Sequence, residues 1–138
     1  MNQMASLGQA EAQKAILAIQ TEMSKRGKTV VIAVVDPHGE LIALLRMDGA
    51  PLPAITIAAN KAFTAARKQE PTRDIGQRAR DPQIGFDMAF NGDIRYVGWG
   101  GGVPVRVDGQ IVGAVAVSGL SESDDMEAAA IGVKAITG

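Results

Sequence analysis

The chain has 138 residues, of which 46% are hydrophobic and 21% are charged, and its formal net charge is −1. One domain usually spans ~100–200 residues, so we expect a single domain over residues 1–138. The 14 basic and 15 acidic side chains are balanced, which disfavours a nucleic-acid surface because such surfaces carry a clustered basic excess. No apolar run reaches the ~18 residues of a membrane helix, so we expect no membrane partner either.

The histidine and cysteine content limits the chemistry of the chain. It has no cysteine, which excludes disulfides and thiolate chemistry, and only one histidine, His38. A zinc site built from one chain usually needs three or four His, Cys or carboxylate ligands, so we expect no metal site. Residues 1–10 lack the basic region and the apolar core of a signal peptide, and we therefore expect a cytoplasmic protein.

The first half of the chain predicts a helix followed by a hairpin. Apolar residues at helical spacing predict a helix over Leu7–Lys25, and Ser6 and Gln9 have the spacing of a capping box at its start. The β-branched, apolar run Thr29–Val35 is typical of a central strand that is covered on both faces. A turn with proline and glycine leads to a second extended run over Glu40–Met47, which predicts an antiparallel hairpin.

The second half of the chain predicts helices and a second hairpin. The Asp-Gly dipeptide between two apolar runs is a strong hairpin signal. The predicted elements are, in chain order, a helix over Ala54–Lys68, a short helix over Thr72–Arg80, a loop-rich segment over Ile84–Ile94, strands over Val105–Val107 and Ile111–Ser118, and a final helix after Ser121. This order predicts an α+β fold in which helices flank a mainly antiparallel sheet.

Three groups of residues, spread over almost the entire chain, resemble the GlcG/HbpS family, also called the haem-degrading or PduO C-terminal-like domain. They are Val34, Val35, Asp36, Gly39, Leu41 and Arg46–Ala50 in the first group, Lys61, Ala62, Thr64 and Ala65 in the second, and Gly100–Pro104, Gly113–Gly119 and Asp125 in the third. The resemblance implies profilin-like α/β/α layers with a five-stranded, mainly antiparallel sheet. It also implies a homo-oligomer, either a dimer or a larger assembly. The flat small-residue face of the predicted helix Ala54–Lys68 favours such an assembly as well.

The same resemblance implies a binding function. Some members bind or sense haem, others accompany cobalamin adenosylation, and many stand in catabolic operons. The resemblance therefore implies a small-molecule or tetrapyrrole-binding protein that is accessory to a catabolic pathway. Haem or a corrinoid is the candidate cofactor. The haem-binding members use a histidine on the first helix as axial ligand, whereas Leu7–Lys25 contains none. Met23 and Tyr96 are of types that ligate haem in other proteins, although their spacing does not favour that role.

The candidate ligand-binding residues lie in separate segments that we expect to meet in one cleft, within a subunit or across an interface. They are Arg46, Asp48, Lys61, Trp99, Gly100, Gly101, Gly102 and Pro104. Arg46 either pairs with a ligand carboxylate or forms an internal salt bridge to Asp48 or Asp36. Lys61 either reaches an anionic ligand, acts as a base if it is desolvated, or lies on the surface. The glycines either admit a ligand close to the backbone or form a tight bend, and Trp99 offers a stacking surface.

Two classes of function stay open. The first is a binding protein without turnover, and the alternative is a small-acid catabolic enzyme, a lyase, isomerase or hydrolase, that uses Arg46, Lys61 and an aspartate. No Ser-His-Asp pattern supports a hydrolase, and no ligand cluster supports a metalloenzyme. Because His38 lies in a turn fixed by proline and glycine, we interpret it as exposed. We expect haem binding to be weak and to change little in His38→Ala.

Overall fold

The computed structural model describes all residues from Met1 to Gly138. The elements are α1 (Gln9–Lys25), β1 (Val31–Val35), β2 (Leu41–Arg46), α2 (Ala54–Lys68), α3 (Thr72–Ala79), a 3₁₀ turn (Met88–Asn91), β3 (Gly102–Val107), β4 (Gln110–Ser118) and α4 (Glu122–Thr137). Each helix and strand that the residue pattern predicts is present, with ends that differ by a few residues. None of the helices has the length and apolar character needed to cross a bilayer.

The four strands form one antiparallel sheet in the order β2-β1-β4-β3. All five residues of β1 are buried between its two neighbours and the covering helices, which confirms the central strand predicted from its β-branched sequence. β3 lies at an edge of the sheet. Pro104 therefore fits in β3, because an edge strand tolerates a residue without an amide hydrogen.

The expected fifth strand is absent, so the prediction of a five-stranded sheet is wrong. Residues 80–101, between α3 and β3, contain a 3₁₀ turn as their only regular element. Within this segment the carboxylates of Asp81 and Asp87 accept hydrogen bonds from amides two or three residues further on. Such local bonds compete with strand pairing and favour turns. The α/β/α layering is present, and the comparison with profilin stays an expectation.

Helices cover both faces of the sheet and produce the three layers. α1 and α4 pack on one face, where Ile19, Met23 and Val117 belong to the same buried cluster. α2 packs on the other face against β1 and β4. The buried alanines of α2 on that face are Ala54, Ala58, Ala62, Ala65 and Ala66. The small side chains of α2 are thus used within the chain, where they let the helix approach the sheet closely.

The start of α1 and the turn between β3 and β4 follow directly from local chemistry. α1 begins after Gly8, whose amide donates to the Glu11 carboxylate at 2.9 Å, and this cap replaces the capping box predicted two residues earlier. Asp108 and Gly109 join β3 to β4 with φ angles of 51° and 78°. Positive φ at both positions is the geometry of the two-residue hairpin turn that Asp-Gly favours, so the second hairpin is confirmed.

One end of the sheet gathers the segments that the sequence analysis singled out. Val31, at the start of β1, lies opposite Arg46 on β2 and opposite Ser118 on β4. On the other side of β4, Gly102 at the start of β3 lies opposite Ala116. Neighbouring strands are about 4.8 Å apart. Arg46 and the glycine segment therefore reach the same end of the sheet but are separated by β1 and β4.

Candidate functional site

A buried ion pair lies at this end of the sheet and joins α2 to α4. The ammonium of Lys61 is 3.0 Å from Oδ2 of Asp125 and also donates to the carbonyl oxygen of Val117 at 3.0 Å. Oδ1 of Asp125 accepts from the amide of Leu120 at 3.0 Å. Lys61 is 2% exposed and Asp125 is 3% exposed, so the interpretation of Lys61 as a surface lysine is wrong.

Burial and charge act in opposite directions on Asp125. Removal from water raises the pKa of its carboxyl, while the ammonium of Lys61 and the amide of Leu120 oppose that rise. A buried charge is tolerated when it is paired and hydrogen-bonded, and no buried polar side-chain atom of the chain lacks a partner. Lys61 is therefore engaged with Asp125, which disfavours its use as a free base in an enzyme of the alternative class.

Gly101 and Gly102 carry the chain past Lys61 at a distance that only glycine allows. Gly101 has a φ angle of 125°, and a Cβ atom on it would lie 2.8 Å from Nζ of Lys61. A Cβ atom on Gly102 would lie 2.4 Å from the carbonyl oxygen of Lys61. The amide of Gly102 also donates to the hydroxyl of Thr72 at 2.9 Å. These glycines therefore allow the start of β3 to pack closely against α2.

A pocket of about 200 Å³ adjoins the ion pair. Its lining residues are Ile57, Lys61, Trp99, Gly100, Ser118, Leu120, Glu122 and Asp125. Trp99 is 59% exposed whereas Lys61 and Asp125 are buried, so the indole lies on the solvent side of the pocket and the ion pair on its inner side. We call it the Trp99 pocket. It combines an aromatic surface, apolar side chains and a few polar groups, as ligand sites commonly do.

The backbone on both sides of Trp99 is held in place. Gly98 touches Gly76 of α3 so closely that a Cβ atom on Gly76 would lie 1.8 Å from the carbonyl oxygen of Gly98. On the other side, Gly100 donates its amide to the carboxylate of Glu122 at 2.8 Å. The exposed indole therefore stands on a segment that is fixed to α3 and α4, although the segment has no regular secondary structure.

Arg46 and Asp48 lie in a separate pocket of about 480 Å³. Its other lining residues are Gln20, Ser24, Gly27, Lys28, Thr29, Leu45 and Met47. Arg46 takes part in none of the ion pairs of the chain, so the predicted internal salt bridge to Asp48 or Asp36 does not form. Within one chain Arg46 and Asp48 do not share the Trp99 pocket, because two strands separate β2 from β3. One cleft built from all the candidate residues stays a prediction for an interface between subunits.

The other residues that the sequence singled out lie elsewhere. Pro104 is inside β3 and does not line the Trp99 pocket. Met23 is 1% exposed within the core, which removes it as a haem ligand. His38 is exposed in the turn after β1. In this turn the carboxylate of Asp36 accepts hydrogen bonds from two backbone amides. Tyr96 and His38 line a further pocket, described below.

Sequence reasoning assigned no ligand role to Ile57, Leu120 and Glu122, although all three line the Trp99 pocket. Ile57 precedes Lys61 by four residues on α2, and residues at that spacing lie on the same face of a helix. Glu122 precedes Asp125 by three residues on α4, so these two residues also lie on one face of their helix. These spacings were visible in the sequence, but only the packing of α2 and α4 around the end of β4 brings the two faces together.

The fold and this pocket define a small α+β domain with a partly aromatic pocket at one end of an antiparallel sheet. Comparison with known proteins agrees with that fold. A family model described as "Haem degrading protein HbpS-like" matches residues 7–134. Protein GlcG of Escherichia coli K12 is 40% identical over 112 residues, which is 81% of each chain. A protein of Citrobacter freundii, described as an uncharacterized 15.0 kDa protein in the dhaT-dhaS intergenic region, is 32% identical over 123 residues, 89% of this chain and 87% of that protein.

Solved structures extend the similarity to three dimensions. A double mutant of Streptomyces reticuli HbpS has a TM-score of 0.86 at 31% identity and covers 97% of this chain and 89% of its own. PduOC, solved as a complex with haem, has a TM-score of 0.88 at 26% identity and covers 96% of each chain. The chain belongs to the HbpS-like family, and the resemblance to GlcG and HbpS found in the sequence is confirmed.

Proposed function

We propose that the chain is a small-molecule-binding protein without turnover of its own, whose ligand is a tetrapyrrole or a similarly planar molecule that lies against Trp99. The observation that carries the proposal is an exposed, fixed indole beside a pocket with a buried ion pair on its inner side. Aromatic faces favour stacked planar partners. The haem complex of PduOC and the description of the family support a tetrapyrrole as the first ligand to test.

The size of the Trp99 pocket suggests how such a ligand would be placed. Its volume of about 200 Å³ is below the ~300–1,000 Å³ typical of enclosed ligand sites. A tetrapyrrole would therefore insert only one edge, and the rest of its ring would lie over the indole. The guanidinium of Arg80, 5.8 Å from the centre of the indole, would pair with carboxylate substituents of the ligand.

The Trp99 pocket does not fit haem that is ligated by histidine. No His, Met or Tyr side chain lines it, and α1 contains no histidine. Haem held here would depend on apolar contact and carboxylate pairing, which are less specific than iron ligation. We therefore expect weak haem binding without the strong Soret shift of a histidine complex. The proposal also includes a cytoplasmic location, which rests on the sequence, and a role accessory to a catabolic pathway, which the family resemblance implies.

Absorbance titration with hemin and, separately, with hydroxocobalamin tests the site through Trp99→Ala. We expect about tenfold weaker binding in this variant, because it loses both stacking and apolar contact area. Trp99→Phe keeps an aromatic ring and should retain most of the affinity. Leu17→Ala is the matched control, since Leu17 is 63% exposed on α1 and does not line the pocket.

Two outcomes would contradict the proposal. Equal affinity of the wild type and Trp99→Ala for a bound probe would remove the Trp99 pocket as the site. Failure of both probes to bind the wild type would overturn the tetrapyrrole assignment.

A further inference from the structure

A third pocket, of about 440 Å³, lies at the other end of α2 and differs in chemistry from the Trp99 pocket. Its lining residues are Pro37, His38, Ala66, Arg67, Gln69 and Tyr96. No aspartate or glutamate lines it. We call it the His38 pocket.

The positive charge at the His38 pocket is held in a fixed position. Nε of Arg67 donates to the carbonyl oxygen of His38 at 2.7 Å, and its guanidinium lies 4.5 Å from the centre of the Phe63 ring. A second guanidinium, that of Arg95, lies 3.9 Å from the centre of the same ring. Two guanidiniums thus face one aromatic ring, and Arg67 is the one that lines the pocket.

Three carboxylates lie near these groups, namely Asp93, Glu40 and Asp36, which accepts a hydrogen bond from the amide of His38, but none of them lines the pocket. Asp93 pairs with Arg95 at 2.9 Å. Glu40 lies 3.7 Å from Arg67 and 3.8 Å from Arg95, which is longer than the ~2.7–2.9 Å of a strong charge-assisted hydrogen bond. Lys68, whose ammonium lies 5.2 Å from the centre of the Tyr96 ring and donates to Asn91, is a third cation nearby that does not line the pocket.

The neutral side chains of the His38 pocket have free hydrogen-bonding capacity. Three side-chain groups of the pocket make no hydrogen bond within the chain. They are the imidazole of His38, the side-chain amide of Gln69 and the hydroxyl of Tyr96. Each of these groups can donate to an oxygen atom. The turn that carries His38 is itself fixed, because its amide donates to Asp36 at 2.8 Å.

We propose that the His38 pocket binds an oxyanion group of a small molecule, a phosphate or a carboxylate, with Arg67 as the charged partner and His38, Gln69 and Tyr96 as donors. A planar guanidinium matches the oxygen atoms of either anion, and fixed donors need little reorganisation when it binds. This site is separate from the Trp99 pocket and does not depend on the function proposed for that pocket.

The chain offers one spectroscopic reporter for each pocket, because it has one histidine and one tryptophan. Proton NMR of the wild type, at one fixed pH and constant ionic strength, would follow the His38 imidazole and the Trp99 indole. The protein would be titrated with inorganic phosphate and, in a second series, with succinate. We expect the His38 signal to move and saturate in at least one series while the Trp99 signal stays in place. The series that saturates identifies which oxyanion the pocket accepts.

Variants of Arg67 make the test specific. Arg67→Gln should weaken the affinity roughly tenfold or more, because it removes the charged partner. Arg67→Lys keeps the charge but loses the planar fork, and should bind between the wild type and Arg67→Gln. Arg73→Gln is the control, since Arg73 is exposed on α3, forms no ion pair and does not line the pocket.

Three outcomes would overturn the proposal. They are an equal movement of the His38 signal with sodium chloride, a lack of saturation with both anions, and an affinity of Arg67→Gln equal to that of the wild type.

Discussion

At the scale of single residues, the structure contains two lysine–aspartate pairs at the start of α4 that differ chiefly in burial. Lys28 lies 3.3 Å from Asp124 with side chains 41% and 43% exposed, whereas the side chains of Lys61 and Asp125 are 3% and 4% exposed. An exposed pair contributes about 0–1 kcal/mol because water screens it. Removing one partner of a buried pair leaves an uncompensated charge and costs about 3–5 kcal/mol.

The two pairs therefore predict different effects of the same substitution. Lys61→Met should lower the free energy of unfolding by about 3–5 kcal/mol, and Lys28→Met by about 1 kcal/mol or less. Combining Lys61→Met with Asp125→Leu should recover most of the loss, because no buried charge then remains. Urea unfolding measures all three variants. Equal losses in Lys61→Met and Lys28→Met would show that burial of the pair has been misjudged.

Asp93 provides a prediction about pH. Hydrogen bonds from Arg95 lower the pKa of the Asp93 carboxyl to about 2, from an ordinary value of 3.8. A carboxyl with a lowered pKa stabilises the folded state above its ordinary value, and this contribution is lost as the pH falls towards 2. The difference in unfolding free energy between the wild type and Asp93→Asn should therefore shrink from pH about 5 to about 2.5. A difference that is constant over this range would contradict the assignment.

At the scale of elements, α3 and the segment before β3 meet through two glycines, and this contact sets the position of Trp99. A Cβ atom on Gly76 would lie 1.8 Å from the carbonyl oxygen of Gly98, which backbone movement alone can relieve. Alanine is otherwise favoured over glycine inside a helix by about 1 kcal/mol. A loss of stability in Gly76→Ala would therefore report the contact and not helix propensity.

We expect Gly76→Ala to lower the free energy of unfolding by about 1–3 kcal/mol, as overpacked sites do. It should also weaken hemin binding, because α3 and the segment that carries Trp99 are forced apart. Arg73→Ala on the same helix is the control and should change neither quantity appreciably. Thermal unfolding and the absorbance titration measure the two effects. A stabilised Gly76→Ala with normal hemin affinity would rule out this role of α3.

The elements that could be predicted from sequence are those specified by local chemistry. The β-branched run of β1, the alanine-rich α2 and the Asp-Gly turn between β3 and β4 each determine their own conformation. The segment between α3 and β3 forms no strand, because its aspartate side chains and glycines favour turns. The separation of Arg46 from Trp99 could not be predicted, because it depends on strand order, which no local pattern along the chain records.

At the scale of the whole molecule, the predicted homo-oligomer needs a surface other than the alanine face of α2, which is buried against the sheet of its own chain. The segment between α3 and β3 exposes several large apolar side chains instead. They include Ile84, Phe90 and Ile94. Exposed apolar residues concentrated in one segment are typical of protein–protein contact sites.

Light scattering should therefore give a multiple of the 14.4 kDa chain mass. Ile94→Asp places a charge in the exposed apolar segment and should shift the protein to smaller species, because a buried unpaired charge disfavours association. Leu52→Asp, at an exposed position before α2, is the control and should leave the assembly intact. A clean monomer for the wild type at micromolar concentration would refute the prediction.

The central claim is that a planar ligand lies against Trp99 and that His38 takes no part in holding it. The Soret spectrum of hemin, titrated into the wild type, Trp99→Ala and His38→Ala, tests this claim most directly. We predict weak binding with a small spectral change, a further loss of affinity in Trp99→Ala, and no change in His38→Ala. A stoichiometric complex with a strongly shifted Soret band that disappears in His38→Ala and persists in Trp99→Ala would contradict it.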